Sequence, residues 1–271
     1  MTTTSGKTAI VTGASMGIGR ASAEALARAG FTVFGASRRP TNDGPKQVSM
    51  LACDVTEPES IAAFVSTVMQ RTGRIDVLVN NAGIGLQGGA EESSIDQVQA
   101  IFDVNMFGVV RMTNAVLPAM RKLGGGRIIN ISSVLGLIPA PYSAYYSATK
   151  HALEGYSESL DHEVRAFNIR VSLVEPGYTR SVFDQNSLAP DSTLPEYNAP
   201  RANVLQLIKD AIATADAPEV VADTVLQAAT AARPRRRYPA GKLAGQISML
   251  RRFAPASAFD KTLRKQMRLP A

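Results

Sequence analysis

Tyr146 and Lys150 stand four residues apart in Ser143 to Phe167, a segment that reads as one long helix. Residues at i and i+4 share a helix face, so the phenol and the ammonium are neighbours. A free tyrosine, with a pKa of about 10, is a poor base at neutral pH. A nearby ammonium favours the phenolate and lowers that value. Such a pair can give a proton to a carbonyl oxygen or take one from an alcohol. Ser132 and Ser133 follow the apolar run Arg127 to Ile131, and a hydroxyl there can hold the same oxygen in place. Strand alternation puts the two serines on opposite faces, so only one faces a substrate. Tyr142 and Tyr145 are near-duplicates of Tyr146 and read as packing or pocket-lining residues.

These side chains need a scaffold. The first two thirds of the chain alternate short β-branched runs with Ala- and Leu-rich helical stretches. Strands are expected at Thr8 to Thr12, Phe31 to Ala36, Val48 to Leu51, Ile75 to Val79, Arg127 to Ile131 and Ile169 to Val174. Between them lie helical patterns at Ile18 to Ala29, Pro58 to Arg71, Ile95 to Lys122 and Ser143 to Phe167. Repeated strand–helix–strand order predicts a single α/β domain, a doubly wound Rossmann-type parallel sheet with helices on both faces. Such sheets bind ligands at the C-terminal ends of their strands.

The residues after those strands fit that rule. Gly13, Ser15, Met16, Gly17, Ile18 and Gly19 form a Gly-x-x-x-Gly-x-Gly turn between the first strand and helix. Glycines let a phosphate approach the backbone, and the helix N-terminus points its free N–H groups at it. An ordinary glycine-rich turn is the competing reading of this segment alone. Ser37, Arg38 and Arg39 follow the second strand, where an acid would accept the ribose hydroxyls of NAD(H). Two arginines and no acid favour a 2′-phosphate, hence NADP(H). Asp54 and Val55 follow the third strand, placed to touch an adenine. Asn81, Ala82 and Gly83 follow the fourth, where small residues leave room for a cofactor.

With these residues in order, the stretch from Lys7 to Arg180 resembles the short-chain dehydrogenase/reductases. The Thr12–Gly19 turn and the Asn80-Asn81-Ala82-Gly83 run match signatures of that family, as does Asn105. Ser133 lies thirteen residues before Tyr146, and only these two keep the family's Ser…Tyr-x-x-x-Lys spacing to Lys150. The resemblance implies Ser133, Tyr146, Lys150 and Asn105 as catalytic residues. Lys150 would also hold the nicotinamide ribose, with Asn105 supporting a water that links Lys150 to solvent. Pro176, Gly177, Thr179 and Ser181 match the segment that meets the nicotinamide carboxamide, with Ser181 where the family more often has Thr. The implied activity is an NADP(H)-dependent interconversion of a secondary alcohol and a ketone. A hydroxysteroid dehydrogenase-like branch would make the substrate bulky and lipophilic. A non-catalytic NADP(H)-binding regulatory or scaffold protein is the alternative, and the complete catalytic set argues against it. The family also implies a homodimer or homotetramer through the helices holding Asn105 and Tyr146.

Composition limits the rest. The chain has 271 residues, 45% hydrophobic and 19% charged, ordinary values for a globular domain. A single cysteine, Cys53, excludes an internal disulfide and points to a reducing, cytoplasmic setting. Two histidines and one cysteine leave little for a soft metal, so no metal site is expected. The polar N-terminus lacks a signal-peptide core, and the longest apolar runs are expected to be far too short to cross a bilayer. The net charge of +6 is uneven: from Arg233 onward eleven basic residues face only Asp260, leaving the body at −4. We divide the chain into a catalytic domain over 1–245 and a basic helical extension over 246–271. The domain includes a Pro-containing substrate loop at 182–201. Three readings of the extension compete: a solvated face, a membrane-surface contact, and nucleic-acid binding, disfavoured because no nucleic-acid motif accompanies the charge.

Overall fold

The structure, a computed structural model, describes residues 4–40, 43–181, 183 and 186–267. Val182 and Asp184 of the substrate loop and Arg268 of the basic tail lie outside the described residues. The elements are β1 (Thr8–Thr12), α1 (Gly17–Arg28), β2 (Thr32–Ser37), β3 (Val48–Ala52), α2 (Pro58–Thr72) and β4 (Val77–Asn80), then α3 (Ile95–Phe102), α4 (Gly108–Leu123), β5 (Gly126–Ile131), α5 (Ala144–Val164) and β6 (Ile169–Pro176). The C-terminal part adds α6 (Asn198–Ala213), α7 (Pro218–Thr230), β7 (Arg237–Ala240), α8 (Lys242–Phe253) and α9 (Ala256–Gln266).

All seven strands are parallel, in the order β3-β2-β1-β4-β5-β6-β7. The order reverses direction between β1 and β4, where a crevice opens at the strand ends. Period-2 alternation divides the core into two layers. Ile10 packs with Phe34, Leu78 and Ile128 under α2, α4 and α5. Its neighbours Ala9 and Val11 pack with Val33, Val79 and Ile129 under α1 and α7. Polar side chains also cross the first layer. Asn80 donates to Asn130 at 2.9 Å, and Asn130 donates to Ser157 at 2.8 Å. These bonds tie β4 to β5 and β5 to α5, the helix that carries Tyr146 and Lys150.

Three expectations need correction. The fourth strand begins at Val77, not Ile75; Asp76, just before it, still bonds Thr8 and Arg127 through its backbone, and its carboxylate accepts the Thr8 N–H at 2.8 Å. The long helix expected from Ile95 is broken into α3 and α4 by a π-helical turn, Asp103–Phe107. By length and composition alone, Ile95–Leu123 is nevertheless long and apolar enough to cross a membrane. Ile101, Met112, Val116 and Met120 on this run are fully buried in the protein, so it serves as a core helix. Finally, α8 begins at Lys242, so a boundary at 245/246 falls inside a helix. Gly241, with φ of 88°, makes the turn out of β7.

Candidate active site

A cavity of about 860 Å³ opens at the C-terminal ends of the strands. Twenty-one of the twenty-two candidate residues wall it: Gly13, Ser15, Met16, Gly17, Ile18, Gly19, Ser37, Arg38, Arg39, Asp54, Val55, Asn81, Ala82, Gly83, Ser133, Tyr146, Lys150, Pro176, Gly177, Thr179 and Ser181. Asn105 is the exception and is set back behind the wall. It sits in the π-helical turn, 1% exposed. Its Oδ1 accepts the Ile84 N–H, and its Nδ2 donates to the Ile84 carbonyl and to Thr149 Oγ1, at 2.9, 2.9 and 3.2 Å. Its side chain therefore fastens the wall segment after Gly83 to α5, one residue from Lys150.

The glycine turn is shaped for close approach. Gly13 and Gly17 have φ of 65° and 54°, a region that favours glycine. A Cβ on Gly19 would stand 2.2 Å from the Gly13 carbonyl oxygen, so no other residue fits there. Among the described residues no side chain caps α1, and no acid lies in its first turn. Its positive end is thus left for an anion. Thr12 Oγ1 accepts the N–H groups of Asn81 and Ala82 at 2.9 and 3.0 Å. The Asn81 amide donates to the carbonyls of Thr12 and Gly13 at 2.9 and 3.2 Å. Asn81 therefore braces the glycine turn rather than offering its amide to a ligand. Asp54 is also partly committed, since Oδ1 accepts from both the N–H and hydroxyl of Thr56 at 2.9 and 2.8 Å. Arg38 and Arg39, both exposed at the end of β2, form no salt bridge among the described residues.

At the other end, Tyr146, Lys150 and Ser133 converge. The Lys150 ammonium lies 5.6 Å from the Tyr146 ring centroid and donates to the Ile131 carbonyl at 2.8 Å. Burial pushes its pKa down to about 8, against an upward pull from Glu154. The Tyr146 ring packs on Phe183 with centroids 5.8 Å apart. Ser133 Oγ accepts the Leu135 N–H at 3.1 Å while facing the cavity. Ser132 is committed instead to Glu154, to which its hydroxyl donates. Tyr145 donates to the Ala90 carbonyl at 2.8 Å, and Tyr142 stacks edge-on against Tyr197. Both neighbours of Tyr146 are thus structural. Burial pushes the Cys53 thiol up to about 11, leaving it an inert core side chain. His151 and His162 are exposed on α5, away from the cavity wall.

Two buried clusters behind the site were not anticipated. Glu154 and Glu175 share the guanidinium of Arg237, which also reaches Glu158 at 3.2 Å. Glu154 stands one helical turn after Lys150, a spacing that the sequence did display. Burial pushes the Glu154 carboxyl up to about 7, opposed by the Ser132 hydrogen bond, raised further by Glu175, and opposed again by Arg237. In the second cluster, Glu92 accepts from Arg201 and from the backbone of Leu194 and Gly89, at 2.8 and 2.6 Å for the latter two. The Arg201 hydrogen bond holds this carboxyl down at about 2, although burial opposes it. Glu92 thereby pins the far end of the substrate loop. The near end pairs with the 85–88 segment through Leu188 N to Gly85 O at 2.9 Å and Gln87 N to Leu188 O at 3.1 Å.

The Glu154 cluster carries a pH prediction. Between pH 4.5 and about 7 the folded state keeps a proton that the unfolded chain has released. Stability therefore falls as pH rises through that window. Glu175, also pushed up by burial, acts in the same direction. Glu92 is held low, so its contribution changes only below the ordinary carboxyl range. Glu154→Gln can still accept from Arg237 through its amide oxygen, with the Ser132 hydroxyl turned to accept from the amide N–H, and it cannot titrate. Its urea midpoint should decline less steeply than wild type from pH 5 to 7. Identical slopes would show that Glu154 is ionised throughout.

Comparison with known proteins agrees with this geometry. A family model described as short chain dehydrogenase matches residues 7–191. A 3-ketodihydrosphingosine reductase from Bacteroides thetaiotaomicron is 46% identical over 177 residues, which span 65% of this chain and 65% of that protein. The crystal structure of a short-chain dehydrogenase from Streptomyces avermitilis superposes with a TM-score of 0.82 at 33% identity, covering 98% of this chain and 99% of that one. A short chain dehydrogenase from Burkholderia cenocepacia, solved in complex with NADP, gives a TM-score of 0.76 at 27% identity, with 96% and 98% covered. The chain belongs to the short-chain dehydrogenase/reductase family, whose members are oxidoreductases that use a nicotinamide dinucleotide on small-molecule substrates.

Proposed function

We propose that this protein uses NADP(H) to interconvert a secondary alcohol and a ketone on a bulky or lipophilic substrate, with Tyr146 as acid/base. The observation that carries this reading is the convergence of Tyr146, Lys150 and Ser133 on one cavity that is apolar where α6, α8 and the segment after β5 wall it, through Leu135, Ile138, Val204, Ile208, Ile247 and Leu250. The name of the Bacteroides relative, which specifies a ketone on a long-chain base, supports the same substrate class.

The cofactor end fits a dinucleotide. Gly13, Gly17 and Gly19 admit the pyrophosphate to the start of α1, and Asp54 and Val55 lie at the adenine end. Arg38 and Arg39 suit a 2′-phosphate. When bound, the nicotinamide supplies or accepts the hydride at the substrate carbon. The remaining work is proton traffic and positioning by this chain. In reduction, Tyr146 gives its proton to the carbonyl oxygen, and in oxidation it takes one from the hydroxyl. The Lys150 ammonium stabilises the phenolate left behind. Ser133 donates to the same oxygen and fixes it beside the phenol. A bulky substrate seated with the cofactor would displace water from the cavity, which strengthens each of these charge interactions.

We further infer a homodimer or homotetramer built on the helical run that holds Asn105 and on α5, where Phe107 at the end of the π-helical turn is half exposed, and a cytoplasmic location. The test of the functional reading is NADPH oxidation with a panel of ketones. A long-chain or polycyclic ketone should exceed a small one such as acetoin in kcat/KM by about tenfold or more, since a few buried methylenes at about 0.8 kcal/mol each suffice. Preference for small hydrophilic ketones would overturn the substrate class.

A further inference from the structure

The helices after β7 have two faces with different tasks. Leu243, Ile247 and Leu250 of α8 wall the cavity, as do Phe259, Leu263 and, just past α9, Met267. The last three recur every fourth residue and place one stripe of α9 on the cavity. Leu243 and Leu250 remain substantially exposed although they line the cavity, so they mark its rim. The apolar surface continues outward along α8. Met249 and Phe253, one turn apart, are 67% and 73% exposed and take no part in the wall. The face of α9 opposite its apolar stripe is basic: Lys261, Arg264 and Lys265 are exposed, against the single acid Asp260. Lys242 adds a further exposed cation at the start of α8. The two helices are held together in part by the Arg251 guanidinium, which lies 5.5 Å above the Phe259 ring.

We propose that α8 and α9 form a docking surface for an anionic lipid membrane, with the apolar end of the active-site cavity at the lipid surface. Large exposed apolar side chains flanked by lysine and arginine are the composition of an interfacial helix. The apolar residues enter the headgroup boundary while the cations meet anionic headgroups, an attraction that adds up residue by residue. Charge selects this occupant over a second copy of the chain, because two copies meeting on this face would oppose cation to cation. The rim residues give the docking a consequence: a lipophilic substrate can pass from the bilayer into the cavity without crossing water. That consequence rests on the substrate class proposed above, whereas the docking itself does not.

The test is co-sedimentation of the full chain with vesicles of phosphatidylcholine alone or mixed with phosphatidylglycerol, at low and moderate salt. The expected result is pelleting with the anionic vesicles, weakened by salt, and little with the neutral ones. Lys261→Glu combined with Lys265→Glu should weaken the partition about tenfold or more, as should Met249→Asp combined with Phe253→Asp. Both double variants are expected to keep NADPH binding and turnover of a water-soluble ketone, which shows that they fold. Failure to pellet, or equal pelleting of wild type and the charge-reversed variant, would overturn the proposal. So would an apolar-face variant that lowers the mass of the assembly in solution while pelleting as before, since the face would then join copies of the chain. Pelleting is read without turnover, so a failure of the proposed catalysis leaves this result separately readable.

Discussion

Tyr146→Phe should lower kcat with any ketone by about 10²–10⁴-fold, the usual worth of a positioned acid/base. Affinity for NADPH should be nearly unchanged. The variant removes one oxygen and leaves the ring, which Phe183 holds through a 5.8 Å stacking contact. Lys150 keeps its own anchor, the Ile131 carbonyl at 2.8 Å. The glycine turn and both arginines belong to other segments of the cavity wall and keep their residues. Steady-state kinetics paired with an NADPH fluorescence titration separates the two quantities. A variant that retains most of its kcat would remove Tyr146 from the chemistry. Loss of cofactor binding along with kcat would give the hydroxyl a structural task instead.

Arg38→Asp should reverse the choice of cofactor. A carboxylate at the end of β2 accepts from ribose hydroxyls and repels a 2′-phosphate. Each charge-assisted hydrogen bond is worth about 1.5–3 kcal/mol, which is about ten- to a hundredfold in affinity. The ratio of kcat/KM for NADPH over NADH should therefore fall by about that factor, with kcat on saturating cofactor little changed. Arg38 is exposed and forms no salt bridge among the described residues, so the substitution has no buried partner to strand. An unchanged ratio would assign the selection to Arg39 or to neither arginine.

The parts of this molecule that the sequence displayed are those with local signatures. Glycines at φ > 0 and a Tyr-x-x-x-Lys pair on a helix are short-range features, and the strand–helix alternation places them at strand ends. The choice of Ser133 over Ser132 followed from spacing and from strand alternation, and the structure places Ser132 against Glu154. What stayed hidden depends on contacts between distant segments. Arg237 meets Glu154 and Glu175 only because β7 pairs with β6 beside α5. Glu92 meets Arg201 across more than a hundred residues of chain. Which segments the Asn105 amide fastens was likewise not legible, because the π-helical turn and the fold bring Ile84 and Thr149 to it from distant parts of the chain. At the C-terminus the amphipathic basic pattern of Ala258 to Met267 is local and legible, whereas the placement of Phe259, Leu263 and Met267 on the cavity wall depends on how the helix folds back.

Cofactor choice and the glycine turn are both read by one side-by-side fluorescence titration of the wild-type protein with NADPH and NADH. Saturable binding of NADPH is expected, with NADH weaker by about tenfold or more, the worth of at least one charged contact to the 2′-phosphate. Binding of neither dinucleotide would contradict the reading of the glycine turn as a pyrophosphate cradle, and with it the assignment of Tyr146 as a redox enzyme's acid/base.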